Sequence, residues 1–180
     1  EDHGLPSPIG PDAYSWFLEK LTPANMTAAL PDTLQFWNEI LEHPDYDGYW
    51  KERSLEPYLK DIEPAILVVG GEFDTDDCYG ALNTYKLIRE NSPQTDLHFV
   101  YGPWTHGGWH NADYEGLGDR KFGKNLSRYF MEKIEYPFFR YYLEGKGKRP
   151  EPVYLFASGS EEWQVMEKWP ADGIDYTPLY

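Results

Sequence analysis

Apolar positions along the chain change their spacing near residue 64, and the change separates two kinds of element. From Ala13, the residues Tyr14, Phe17, Leu18 and Leu21 recur three and four apart, the period of an amphipathic helix. Thr22-Pro23 interrupts that pattern, and a second helix is predicted over Asn25 to Leu30. Asp32, after Pro31, is a candidate N-cap for a third helix, with Leu34, Phe36, Trp37, Ile40 and Leu41 on its apolar side and an end near His43-Pro44. His43 to Trp50 reads as a polar-aromatic turn leading into Lys51-Glu52-Arg53, and Ser54 to Leu59 as one short helix. Small helices joined by proline turns suit a cap over a site better than a free-standing bundle, whose helices run longer. Ahead of them, residues 1 to about 13 are rich in Pro and Gly and read as a linker or an ordered surface loop.

Beyond residue 64 the helical period gives way to a continuous apolar run, Ala65-Ile66-Leu67-Val68-Val69-Gly70. A strand apolar on both sides is buried on both faces, as in a parallel sheet. A helix follows from about Cys78 to Asn91, with Ala81, Leu82, Tyr85 and Ile88 on one stripe, and Ser92-Pro93 ends it. Leu97 to Tyr101 is the next strand, so residues 64–101 form a βαβ unit. After a Gly-rich loop, a long helix is predicted over Leu126 to Leu143, with Phe130, Ile134, Phe138 and Tyr141-Tyr142 inward. Pro137 kinks it or marks a junction. Gly145 to Pro150 signals a boundary, followed by a strand at Val153–Ala157 and a second over Trp163 to Trp169. This reading yields one parallel strand pair, too little to bury a sheet. It predicts the later part of a larger α/β domain.

Composition narrows the partners. A formal net charge of -15 argues against nucleic acid, whose phosphates call for Lys and Arg clusters, and against anionic membranes. A cationic or neutral ligand fits better, although acidity also serves plain solubility. No stretch approaches 18 apolar residues, so no membrane span is expected. The start, Glu1-Asp2-His3-Gly4, lacks the basic leader and apolar core of a signal peptide. The single cysteine, Cys78, excludes an internal disulfide and reads as a small buried residue at a helix start.

The candidate chemistry lies in the two loops that follow the strands. The first reads Gly71-Glu72-Phe73-Asp74-Thr75-Asp76-Asp77, the second Gly102-Pro103-Trp104-Thr105-His106-Gly107-Gly108. Ligands and catalytic groups gather at the carboxyl ends of parallel strands. An Asp after one strand and a His after the next match the acid and base of a Ser-His-Asp triad in α/β-hydrolase order. Other readings are a capping turn for Asp74 and a backbone-bonded loop residue for His106. His106 and His110 are four apart, but Gly107-Gly108 opposes a helix there and no H-E-x-x-H is present, so neither metal nor cofactor is expected. His3, His43 and His98 read as structural. Trp104 and Trp109 flank the His loop, as acyl-pocket lining or as core.

With these loops, His43-Pro44-x-Tyr46-Asp47-x-x-Trp50, Phe139-Arg140-Tyr141-Tyr142-Leu143-x-Gly145 and the downstream Phe156, Gly159, Trp163 and Trp169-Pro170, the chain resembles the CocE/NonD acyl hydrolases of the X-Pro dipeptidyl-peptidase superfamily. Within it, the α-amino acid ester hydrolases and glutaryl-7-aminocephalosporanic acid acylases are most similar. The resemblance implies an α/β fold: a partial α/β-hydrolase domain with a helical cap, followed by the start of a β jelly roll. The expected divisions are 1–60 for the cap segment, 61–149 for the hydrolase part and 150–180 for the jelly roll. It also implies Asp74 as triad acid, His106 as base, and a serine acyl hydrolase that cleaves ester or amide bonds in small molecules or short peptides. Asp45, Asp47 and Glu72 are then candidates to hold a substrate ammonium group; solvated or capping carboxylates are the simpler reading. A homo-oligomeric parent protein in the periplasm or outside the cell is a further implication.

Two features depart from that pattern. No serine lies in a G-x-S-x-G context, and Glu72 stands where the family often has a large apolar or aromatic residue. The nucleophile is therefore expected upstream, in a longer protein of which this chain is an inactive portion. The alternatives are a non-catalytic module that binds carbohydrate or peptide, and a subunit-interaction domain.

Overall fold

A computed structural model describes residues 12–30, 34–123 and 125–178. The chain divides into two compact units, Glu1–Ser54 and Leu55–Tyr180. The division precedes the expected boundary at residue 60, because Leu59 and Ile62 pack against the core of the second unit and Asn83 Nδ2 donates to Glu56 Oε1 within it.

The first unit holds four short helices: α1 (Ala13–Lys20), α2 (Pro23–Ala29), α3 (Gln35–Glu42) and α4 (Gly48–Arg53). The Thr22 hydroxyl accepts from Asn25 N–H and starts α2 two residues earlier than the periodicity suggested. The Asp32 cap lies outside the described residues. Where a turn was expected, α4 forms instead, because Asp47 caps it. Asp47 Oδ1 accepts from Tyr49 N–H at 2.9 Å, and Oδ2 faces His43 Nδ1 at 2.7 Å. His43 stacks on Tyr49 with ring centroids 4.3 Å apart, and the Tyr49 hydroxyl donates to Glu39 at 2.6 Å. None of these four helices buries a residue.

The second unit is built on a four-stranded sheet of β1 (Ile66–Gly71), β2 (Leu97–Gly102), β5 (Val153–Ala157) and β6 (Glu162–Met166), in the order β1-β2-β5-β6. The first three are parallel, and β6 returns antiparallel on β5. A small hairpin of β3 (Gly116–Leu117) and β4 (Arg120–Lys121) lies between β2 and the long helical stretch. The segment expected to open a jelly roll thus begins inside the hydrolase sheet. Phe99 pairs with Val153, and both are fully buried, so apolar burial draws β5 beside β2 despite the polar boundary before it.

Side chains alternate across the strands and feed two cores, as continuous apolar runs require. Helix α5 (Cys78–Asn91) covers one face, with Tyr85 and Ile88 against Val68, Phe99 and Val153. The other face buries Val100, Trp104 and Phe156 against Leu126, Phe130 and Ile134. These last residues belong to one helical stretch in three parts: α6 (Leu126–Tyr129), a π turn (Phe130–Glu135) and α7 (Tyr136–Glu144). Pro137, at the start of α7, has no N–H to give, and the wider π register stands directly before it. A π turn also takes up an extra residue. That keeps Phe130, Ile134 and Phe138, each four apart, on one buried face.

Candidate active site

The carboxyl ends of β1 and β2 are joined by backbone hydrogen bonds. Glu72 N–H donates to Gly102 O at 2.8 Å, and Phe73 N–H to Trp104 O at 3.0 Å. Glycine permits this approach: a Cβ on Gly71 would stand 2.3 Å from the Trp104 carbonyl oxygen, and one on Gly102 2.3 Å from the Trp104 ring. Trp104 is fully buried against Phe130, Trp109 and Trp163. It therefore anchors the second loop as core. Trp109 is half-buried beside it.

The joined loops bring Asp74 and His106 together. Asp74 is 4% exposed, and its Oδ1 accepts from the backbone N–H of Asp76 and of Asp77, each at 3.0 Å. His106 Nδ1 lies 3.1 Å from both carboxylate oxygens. A carboxylate can only accept, so Nδ1 carries the proton and donates. The lone pair then resides on Nε2, on a side chain that is 63% exposed. Burial works to raise the Asp74 pKa. The N–H groups of Asp77 and Asp76, and then His106, outweigh it and hold the carboxyl below the usual range. The capping reading and the acid–base pairing thus describe one carboxylate.

Asp74, Asp76 and His106 are the one metal-capable group among the described residues, with donor atoms within 4.8 Å of one another. Hydrogen bonding already uses them: Asp74 Oδ1 holds two amides, and ligation by Nδ1 would displace the proton it shares with Asp74. The Asp76 carboxylate, 69% exposed, lies 3.9 Å from Nδ1.

The three carboxylates that were candidates to hold an ammonium group lie in different units. Asp45 and Asp47 belong to the first unit, where Asp45 is exposed and Asp47 spends both oxygens on capping α4 and facing His43. Glu72 belongs to the second, where burial raises its pKa. Its Oε2 and Trp104 Nε1 are buried with no hydrogen-bond partner among the described residues.

Other groups around the site were given no functional role from sequence. Cys78 is exposed, not buried as expected, and its Sγ lies 3.1 Å from the Tyr101 hydroxyl. Burial, and then Cys78, push the Tyr101 pKa far up. Tyr114 donates to Pro103 O at 2.5 Å and Ser127 to Gly108 O at 2.7 Å, both from buried positions. Tyrosine and serine are too common for spacing alone to mark them.

The chain is similar in sequence and fold to known proteins. The model of the X-Pro dipeptidyl-peptidase (S15) family matches residues 12–108, just over half of the chain. Cocaine esterase from Rhodococcus sp. (strain MB1 Bresler) is 29% identical over 149 residues, covering 79% of this chain and 24% of that protein. Among solved structures, an aminopeptidase from the marine sediment archaeon Thaumarchaeota archaeon superposes with a TM-score of 0.78 at 29% identity, over 88% of this chain and 27% of that one. An α-amino acid ester hydrolase superposes with the same TM-score and identity, over 89% of this chain and 27% of the other. The chain spans about a quarter of the length of these relatives. The chain belongs to the X-Pro dipeptidyl-peptidase (S15) family, a family of hydrolases that includes the CocE/NonD esterases.

Proposed function

We propose that this chain is the acid–base portion of a serine acyl hydrolase, with His106 as general base and Asp74 as the carboxylate that orients it. The observation that carries this reading is the 3.1 Å contact of His106 Nδ1 with a buried, depressed-pKa Asp74, which leaves Nε2 on the other side of a largely exposed side chain. In the reaction, Nε2 takes the proton of a serine hydroxyl as that oxygen attacks the substrate carbonyl. The imidazolium formed is stabilised by Asp74, and it returns the proton to the leaving alcohol or amine. Asp74 itself stays ionised, held by the two amides. Water then cleaves the acyl-enzyme by the same relay.

The serine and the oxyanion donors come from outside this chain, so the chain alone turns over no ester. The names of the relatives, an esterase, an aminopeptidase and an α-amino acid ester hydrolase, support ester or amide substrates. The last two support a free α-amino group on the acyl side. The exposed Asp76 carboxylate beside His106 is suited to attract such a group. The jelly roll implied by the resemblance belongs to the same proposal, as a continuation beyond β6.

The test is a kinetic assay of the whole protein with an activated amino-acid ester. Asp74→Asn should lower kcat by about 10⁴-fold, the loss seen when a triad carboxylate no longer fixes the histidine tautomer. His106→Ala should abolish turnover. Unchanged rates in either variant would remove the residue from the mechanism.

A further inference from the structure

His106 is largely exposed, so packing on the ring does not aim it. The backbone on either side has to. Gly107, immediately after it, has φ +67° and is the point at which the loop turns back. The loop's own bonds, Gly108 N–H to Thr105 O and His110 N–H to Gly107 O, are local and would move with it. Two side chains from elsewhere grip this backbone, and a third holds a side chain of the loop. The Tyr114 hydroxyl donates to the carbonyl of Pro103, three residues before His106, at 2.5 Å. The Ser127 hydroxyl, 0% exposed, donates to the carbonyl of Gly108, two residues after it, at 2.7 Å. Further on, His110 Nε2 meets Glu135 Oε1 at 2.8 Å, and its ring lies 6.0 Å from that of Phe130.

The two buried hydroxyl bonds join places that are costly to separate, since a buried hydroxyl or carbonyl left without its partner is heavily penalised. Ser127 sits on α6 and Glu135 at the end of the π turn, so the rigid stretch that covers one sheet face also reaches the loop. Its buried residues Phe130 and Ile134 fix that stretch against the core. We infer that Tyr114, Ser127 and the His110–Glu135 pair are positioning residues that hold the 103–110 loop so that His106 Nδ1 stays on Asp74. They touch no reacting atom: Tyr114 and Ser127 act through the loop backbone, and Glu135 through the His110 side chain. The inference rests on the reading of Asp74 and His106 as carboxylate and base.

The whole protein labelled with ¹⁵N-histidine permits a test that needs no turnover. The wild-type protein should show a strongly downfield Nδ1 proton, assigned to His106 by its absence in His106→Gln. Ser127→Ala and Tyr114→Phe each delete a buried hydroxyl without adding bulk, and each should abolish that line or shift it upfield. Glu135→Ala, at a partly exposed position that the fold tolerates, should do so in smaller measure. Thr95→Val is the control: it removes another buried hydroxyl, bonded to Ile62 O at 2.7 Å before the start of β2. It should lower the melting temperature and leave the His106 line in place. If the line in Ser127→Ala, Tyr114→Phe and Glu135→Ala stays as it is in Thr95→Val, the positioning role is overturned while the Asp74–His106 pair stands. Should the two hydroxyl variants fail to fold, an unchanged line in Glu135→Ala overturns it alone. Absence of the line in the wild type would overturn the pair and the inference together.

Discussion

Asp74 does two jobs with one carboxylate, and its titration exposes both. Its folded pKa is depressed, so the stability it contributes is present above the unfolded value, about 3.9, and is lost as pH falls through the folded value. Thermal melts between pH 3 and 7 should therefore show wild type ahead of Asp74→Asn at neutral pH, with the gap closing below about pH 4. A gap independent of pH would mean that the carboxylate charge contributes nothing to the fold. Gly71 has a different constraint. A methyl group there meets a backbone oxygen, which cannot rotate away. Gly71→Ala should cost about 1–3 kcal/mol in urea denaturation, the range for overpacking a tight site. At this scale the sequence was legible where the chemistry is local: Asp74 and His106 follow strands, and each strand is readable by itself. The simpler reading of Asp47 as a capping carboxylate held, whereas Cys78, expected to be buried, is exposed. A thiol looks alike on paper whether it packs or faces solvent.

At the scale of elements, strands and helices with an unbroken apolar pattern came out within a residue or two. Helix α5 was legible end to end, because its stripe and its Ser92-Pro93 stop are encoded in neighbouring residues. The π turn was not legible, since periodicity tells little between 3.6 and the slightly wider register that Pro137 favours. Helix α4 was missed because a side chain two residues away, not an apolar stripe, starts it. Burial sets the expected dynamics. Amides of β1, β2 and the second half of α5 should exchange far more slowly than those of α1 to α4, which bury nothing. Hydrogen exchange with mass spectrometry reads this directly. Equal protection in the two sets would show that the first unit is stabilised by contacts beyond its own helices.

For the whole molecule, composition spoke to partners and patterning to class. The βαβ unit and the ordered Asp and His loops are written in short stretches, and with the flanking motifs they carried the resemblance to the X-Pro dipeptidyl-peptidase family. What they could not specify is which distant segments share a sheet. β5 was expected to open a new domain, because the Gly145–Pro150 stretch reads locally as a linker. It joins β2 instead, because Phe99 and Val153 are fully buried against each other's strands. Nor could spacing show that Tyr114, Ser127 and Glu135 reach back to the His106 loop. The sequence by itself determined the elements and the two post-strand loops that carry Asp74 and His106, since each depends on residues close in the chain. Only the tertiary structure decided the sheet order, the 3.1 Å contact and the groups that hold it. Those depend on which faces find each other between segments 11 to 54 residues apart, and no local pattern records that choice.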